Sequence, residues 1–371
     1  MEPPPLALPN LAPDIILEIL TRTSLKGIGR CRLLSKDWNL ITYGSSFMKQ
    51  HQQRTNTLTG FFMQSKSETN LIPRFISNNN LDTDSRSNLS LRFLPGPVRI
   101  ETATKHGILL CVDCYPKNKP KIPEYYYVCK PSTQEWCKIP NPKPRSNIIA
   151  TGMVVLGSKP FRCKIVRFST PTTTPSVGNY HCRCEIFYSK TCMWRQLKDV
   201  ISLPQGNFFR FASAVSVSGT LYWLLTNDNN NVLAFNVATE SWRVFELPFP
   251  LCNRKYFRYR KIVDYSGRLA MLCMISRTST DMQLWVMEDL GTKVWSLRQT
   301  ISIQHRLPKE EPYYFPHAFL SSDVLLLLGG HTAVLYNFDT FSCNTVRLPL
   351  ECGGQQQIFP ISSDLELVGL D

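Results

Sequence analysis

Apolar positions follow two rhythms along this chain, and the change between them divides it. From Leu11 to Ile41 the spacing is helical. Ile15, Ile16, Ile19 and Leu20 recur at i, i+1, i+4 and i+5, and Leu34, Trp38 and Ile41 at i, i+4 and i+7. Pro13 and Asp14 suit a first helical turn, where a missing N–H costs nothing and an acid faces the positive end of the helix dipole. Thr23, Ser24 and Gly27 predict a bend, after which Ile28 and Leu33 open a second apolar pattern. So short a segment has too little interior to bury both faces. The surplus predicts docking onto the following domain or onto a partner protein. Residues 45–54 predict one last helix leading into a linker.

After Thr57 the rhythm shortens to that of strands. The clearest unit runs from Phe211 to Leu247. FASAVSV meets a Ser218-Gly219 turn, then TLYWLLT, a polar loop, VLAFNV, a turn and SWRVFEL. Four apolar runs joined by turn residues predict a four-stranded antiparallel sheet. The second half of this unit recurs as YYYVCKPSTQEWCKIP, CEIFYSKTCMWRQL, LWVMEDLGTKVWSLRQ and AVLYNFDTFSCNTVRLP. Each repeat is an apolar strand, a short polar turn and a residue opening the next strand. That residue is Trp136, Trp194, Trp242 or Trp295, with Asn344 in the last repeat. A spacing of about 50 residues with four strands per repeat predicts propeller blades. Five blades fit residues 98–349. Residues 60–64, 71–77 and 89–94, with 357–361 and 365–370, predict a sixth that joins the chain ends and leaves no open edge. The expected fold is α+β multidomain: an all-α head over 1–50, a linker over 51–57 and an all-β, six-bladed propeller of four-stranded blades over 58–371. A large β-sandwich is the competing architecture.

Two resemblances follow from these residues. Leu11, Asp14, Ile15, Ile16, Glu18, Ile19, Leu20, Arg22, Lys26, Arg30, Arg32, Ser35, Lys36 and Trp38 match, in order, the pattern of an F-box. Ala12 stands where that family has proline, and Thr23-Ser24 replaces leucine-proline between its first two helices. The phrases HGILLCVD, YYYVCKPSTQEWCKIP, SGTLYWLL and VLAFNVATESWRVFELP resemble the F-box-associated, kelch-like propeller domain of plant F-box proteins. Together these cover nearly the whole chain. They imply a substrate receptor of an SCF-type ubiquitin ligase, docked on a Skp-family adaptor and through it on a cullin. The adaptor contacts implied are Leu11, Pro13, Asp14, Ile15, Ile16, Ile19, Leu20, Ile28, Leu34 and Trp38. A protein-interaction module without ligase function, its F-box weakened at Ala12, Thr23 and Ser24, is the alternative.

Composition narrows the partners. The 371 residues include 13 cysteines, most of them in apolar strand-like runs such as those of Cys111, Cys129, Cys163 and Cys273. With no basic, apolar leader in MEPPPLALPNLAPD, they read as reduced thiols in a cytoplasmic or nuclear protein. No apolar run reaches the roughly 18 residues of a membrane span. The net charge of +14 favours an acidic partner. Lysine and arginine are dispersed rather than blocked into a tail, which favours protein over nucleic acid.

In an antiparallel blade the first and third turns leave one face and the remaining connections the other. The tight turns at 131–133, 218–219, 238–240 and 266–267 belong to the first set, and the long connections at 115–123, 169–181, 204–210, 227–231, 248–260 and 306–314 to the second. Recognition residues concentrate on loops held by a rigid scaffold. Phe208, Phe209 and Arg210, then Arg254, Lys255, Tyr256 and Arg258, then Tyr313 and Tyr314 are the candidates for binding a protein substrate, since arginine and aromatic residues anchor interfaces. Strand alternation gives Phe211, Phe257 and Tyr259 an equal claim to the blade core.

No catalytic, cofactor or metal site is expected. Cys111 and Cys114 have metal-pair spacing but point to opposite faces of a strand. His181, Cys182 and Cys184 form the only other cluster, and four converging ligands are needed. The remaining histidines are scattered. A nucleophile elbow, phosphate loop and paired carboxylates are missing from the sequence; an enzyme of the propeller class, such as a glycosidase or oxidase, is a third reading, and it would need clustered acids or metal ligands at the central channel.

Overall fold

The computed structural model describes residues 12–371 except 56–57, 66–72, 78–88, 115–124, 142–146, 159, 171–179, 200, 204–207, 210–212, 227–230, 254–255, 258, 276–280, 304–306, 308–310, 312, 349–355, 365–366 and 371. Four helices come first: α1 (Pro13–Arg22), α2 (Leu25–Leu34), α3 (Lys36–Ile41) and α4 (Ser45–Thr55). The bend falls at Thr23 and Ser24, both extended. The Ser24 hydroxyl caps α2 by accepting from Gly27 N at 3.2 Å, and Ser35 caps α3 by accepting from Trp38 N at 3.4 Å. Gly27 lies inside α2 rather than at the bend, and a Cβ there would meet Thr23 Cγ2 at 2.3 Å. α4 crosses the expected boundary at residue 50 and leads directly toward the first strand.

The strands then follow in blades. β1 (Leu58–Ser65) and β2 (Arg74–Ser77) precede the first full blade, β3 (Val98–Ala103), β4 (Leu109–Asp113), β5 (Tyr126–Lys130) and β6 (Glu135–Ile139). The second holds β7 (Asn147–Ser158), β8 (Phe161–Thr170), β9 (Tyr180–Tyr188) and β10 (Met193–Gln196), with β11 (Ile201–Leu203) also paired to β9. The third holds β12 (Phe208–Phe209), β13 (Val215–Val217), β14 (Thr220–Thr226), β15 (Asn231–Asn236) and β16 (Ser241–Glu246). β17 (Tyr259–Tyr265), β18 (Arg268–Met274), β19 (Asp281–Asp289) and β20 (Val294–Ser302) form the fourth. β21 (Phe315–Phe319), β22 (Val324–Leu328), β23 (Thr332–Asn337) and β24 (Cys343–Arg347) form the fifth. β25 (Gln356–Ser363) pairs along β1, whose other edge carries β2, and this sheet closes a six-bladed ring.

The burial pattern explains the sequence rhythm. Middle strands are apolar throughout because both blade faces are covered: all of β4 and β5 is buried. Outermost strands are half-wet, so β6 and β16 alternate. Each tryptophan of the repeat is the second residue of its outermost strand. The turn before it is fixed by a left-handed residue two positions earlier, Gln134, Cys192, Glu240 or Lys293, a conformation uncommon outside glycine. Six apolar cores lie between successive blades, the last joining β1 and β25 to the fifth.

The closing blade differs from expectation in two places. Residues 89–94 form a turn, not a strand, and Leu91 and Leu94 fill the core beside Phe62 and Val98. Residues 367–370 are not a strand either. The Glu135 carboxylate accepts from Val368 N at 3.0 Å and Gly369 N at 2.8 Å, while Val368 and Leu370 pack into the core between the first two blades.

One ion pair is buried in that same region. Arg167 donates from Nη2 to Glu185 Oε2 at 2.5 Å and from Nη1 to the Tyr126 hydroxyl at 3.2 Å, tying the first blade to the second. Removing one partner strands the other charge inside the protein. Glu185→Ala is therefore expected to cost about 3–5 kcal/mol in urea unfolding, and a loss under 1 kcal/mol would show the pair to be dispensable.

Candidate functional site

The innermost strand of every blade faces the ring axis. Ala103, Met153, Val215, Lys261, His317 and Ile358, one from each, line a central cavity of about 520 Å³. The helical head covers one mouth of it, on the face of the tight turns. Ser322 N donates to Tyr43 O at 2.8 Å. The Tyr43 hydroxyl sits over Gly267, where it comes within 3.0 Å of the position a Cβ would take, and the left-handed backbone there (φ +78°) independently favours glycine. Arg32 stacks on the Tyr43 ring at 3.8 Å and donates to Thr42 O at 2.7 Å. Thr59 of β1 donates to Gln52 of α4 at 3.0 Å. Tyr43→Ala removes the central contact of this joint. It is expected to leave the propeller folded but to make residues 45–57 cleavable by a protease at low concentration; unchanged cleavage would assign the joint to other contacts.

Away from the propeller the head shows an apolar surface. A small core of Leu20, Ile28 and Phe47, with Ile16, Leu17, Cys31, Trp38 and Met48 against it, uses only part of its apolar residues. Ile15, Ile19, Leu33, Leu34, Leu40 and Ile41 remain exposed, Leu33 at 88 % and Leu34 at 78 %. Glu18 pairs with Arg22 at 2.5 Å and Arg54 at 2.6 Å, holding α1 to α4, and these two charges hold its carboxyl below the usual range.

The structure thus sorts the expected adaptor contacts. Pro13, Asp14, Ile15, Ile19 and Leu34 are exposed. Ile16 and Trp38 are half-buried, and Leu20 and Ile28 buried, in the head's own core. Leu11 lies outside the described residues. Leu40, exposed beside Ile41, belongs to the surface set although it falls off the i, i+4, i+7 pattern. Thr23 and Ser24 are accommodated without loss of the bend: the Thr23 hydroxyl bonds Ile19 O at 2.7 Å, and His51 Nε2 lies 2.7 Å from Thr23 O.

The long connections leave the opposite face. Of the candidates there, Arg210, Arg254, Lys255 and Arg258 lie outside the described residues, and Phe208 is placed by its backbone in β12. Phe209 stacks on Phe168, with ring centroids 5.4 Å apart, and belongs to a blade core. Tyr314 is also core, its hydroxyl 3.0 Å from Thr332 Oγ1. Phe257 is fully buried, as strand alternation allows. Tyr256 and Tyr313 stay exposed. Phe249, 72 % exposed, packs edge-on to Tyr256 at 6.3 Å; it lies in the 248–260 connection but is not among the candidates named from the sequence.

Cys111, Cys129, Cys163, Cys182, Cys184 and Cys273 are buried, Cys31, Cys114, Cys137, Cys252 and Cys343 are half-buried and Cys192 is exposed; burial pushes the Cys163 and Cys182 thiols up to about 12. Among the described residues no three His, Cys, Asp or Glu side chains are grouped to hold a metal, and no helix is long and apolar enough to cross a membrane. The histidines are not all scattered. His51, His106 and His317 meet around the central cavity.

Comparison with known proteins adds two family matches. Residues 8–49 match the F-box domain, and residues 46–325 the F-box associated beta propeller domain. Among similar proteins of Arabidopsis thaliana, F-box protein At5g41720 is 39 % identical over 178 residues, 47 % of this chain and 95 % of that one. F-box protein At5g49610 is 26 % identical over 315 residues, covering 79 % of this chain and 80 % of its own. Putative F-box protein At5g52610 is 25 % identical over 296 residues, with coverages of 77 % and 76 %.

Proposed function

Because the chain belongs to the plant F-box proteins that carry an F-box associated β-propeller, we propose that it is a substrate-recognition subunit of an SCF-type ubiquitin ligase. The observation that carries this reading is the exposed apolar surface of Ile15, Ile19, Leu33 and Leu34 on a head otherwise fastened to the propeller. A patch of this kind on a small helical domain is an unfilled interface, and a Skp-family adaptor, itself bound to a cullin, is its proposed occupant. The protein performs no chemistry in this scheme. It raises the local concentration of a substrate lysine beside a charged ubiquitin carrier.

The substrate surface is assigned to the loop face, opposite the head. Phe249, Tyr256 and Tyr313 are the exposed aromatic anchors there, and Arg210, Arg254, Lys255 and Arg258 supply positive charge for an acidic protein target. The reading is tested by co-purification with the adaptor and cullin, and by proximity labelling in plant cells with and without proteasome inhibition. Failure of the wild-type chain to bind the adaptor sinks it. Adaptor binding without cullin-dependent turnover of any labelled partner assigns the chain to non-ligase scaffolding instead.

A further inference from the structure

The cavity on the ring axis takes no part in either surface. At about 520 Å³ it falls within the ~300–1,000 Å³ of small-molecule sites. With the head over one mouth it has the dimensions of a compact ligand rather than of a folded partner.

Its charge is one-sided. Arg32 from the head and Lys105 and Lys261 from the propeller line it, and Asp264 is the single carboxylate among the described lining residues. Asp264 is already engaged: Oδ1 accepts from Gly267 N at 2.9 Å and Oδ2 meets the Lys105 ammonium. His51, His106 and His317 add three further basic groups to the same walls. Desolvation in the cavity wall and mutual repulsion push Lys105, His106 and His317 toward their neutral forms, and the Asp264 carboxylate beside Lys105 works against this. Lys105 is pushed down to about 7 by burial and by the Arg32 charge, and His106 to about 4 by burial and by Lys105 and Arg32. His317 is pushed well below its usual value by burial and by Lys261. The lining carries more positive than negative groups, so a bound anion lowers the repulsion among them.

We propose that the axial cavity beneath the head is a binding site for a small anion bearing phosphate or carboxylate groups, held between Arg32 of the head and Lys105 and Lys261 of the propeller. Such a ligand spans the joint between the two domains. By binding only the assembled form, it stabilises their docking through mass action.

The test uses the full-length chain, with inorganic pyrophosphate as the phosphate probe and citrate as the carboxylate probe. Thermal unfolding and calorimetric titration are read against sodium chloride at equal ionic strength. The expected result is a saturable rise in Tm with at least one probe. Affinity is expected to fall at least tenfold in Lys105→Gln and in Lys261→Gln, which remove the charge and leave a polar side chain. A Tm rise no larger than that from chloride overturns the proposal, as does an affinity unchanged in both variants. Which probe binds distinguishes phosphate from carboxylate chemistry. None of these readouts needs the adaptor, so the outcome is independent of the ligase assignment.

Discussion

Replacing Ile15 and Ile19 together by aspartate is expected to abolish capture of the adaptor, with affinity falling at least 100-fold. Both side chains lie on α1 at i and i+4, about half exposed, and neither belongs to the head's core. Buried apolar anchors at the centre of an interface are worth about 2–4 kcal/mol each, and a carboxylate in the same place adds a desolvation cost. The loss of two anchors therefore exceeds the roughly 2.7 kcal/mol that corresponds to a 100-fold change. The choice of residues matters. Leu20 and Trp38 match the family pattern equally well, but they pack inside the head, so substituting them would unfold the binding surface instead of altering it. The measurement is adaptor affinity by calorimetry, paired with circular dichroism to show that helix content is kept. Retained affinity in a folded double variant would falsify the assignment of this face.

Ending the chain before Gln356 is expected to abolish the cooperative fold of the propeller. β25 supplies the axial strand of the closing blade and pairs with β1 along its eight residues, from Leu58↔Ser363 to Ser65↔Gln356. Phe359 and Ile361 are buried in the core beside the first blade, and Val368 and Leu370 in the core beyond it. At about 1.5–3 kcal/mol for each large apolar side chain, these four alone approach the 5–15 kcal/mol that holds a typical domain together. The strand's hydrogen bonds and the Lys130–Asp364 pair at 2.6 Å go with them. The readout is thermal unfolding followed at 280 nm by tryptophan and tyrosine absorbance. A truncated chain that still melts in one sharp transition near the full-length Tm would show that the ring holds without its axial strand.

The propeller was legible because each blade repeats one local solution. A middle strand covered on both faces must be apolar, a left-handed turn must follow it, and in four blades a tryptophan, whose burial ranges from exposed at Trp136 to buried at Trp295, then opens the outer strand; sequence carries all three as a phrase. The closing blade was half legible. Gly60–Gln64 and Gln357–Ile361 read as strands because their neighbours are apolar on alternate sides. Leu89, Leu91 and Leu94 also looked like a strand, but leucines three apart serve a turn equally well when a core lies beneath it. On the head, helical periodicity found the apolar residues without telling core from surface, since α1 and α2 each have too many apolar positions for one face. Tyr314 and Phe209 show the same limit at strand starts. The meeting of His106, His317, Lys105 and Lys261 left no trace in the sequence. They sit more than 200 positions apart at the extremes and are brought together only by the radial arrangement of the innermost strands and the turns that follow them, a property of the closed ring.

The strand that closes the ring has a consequence in time. Gln64 donates to Gln357 at 2.8 Å across a separation of 293 residues. During synthesis at about 5–20 residues per second, β1 therefore leaves the ribosome roughly 15–60 s before its axial partner exists. Over that interval Phe61, Phe62 and Met63, all buried in the finished molecule, stand on a strand with one edge open. The intermediate blades meet their neighbours as they emerge, but the first strand made must wait for the last. Until β25 emerges, that strand edge is open to pairing with other chains.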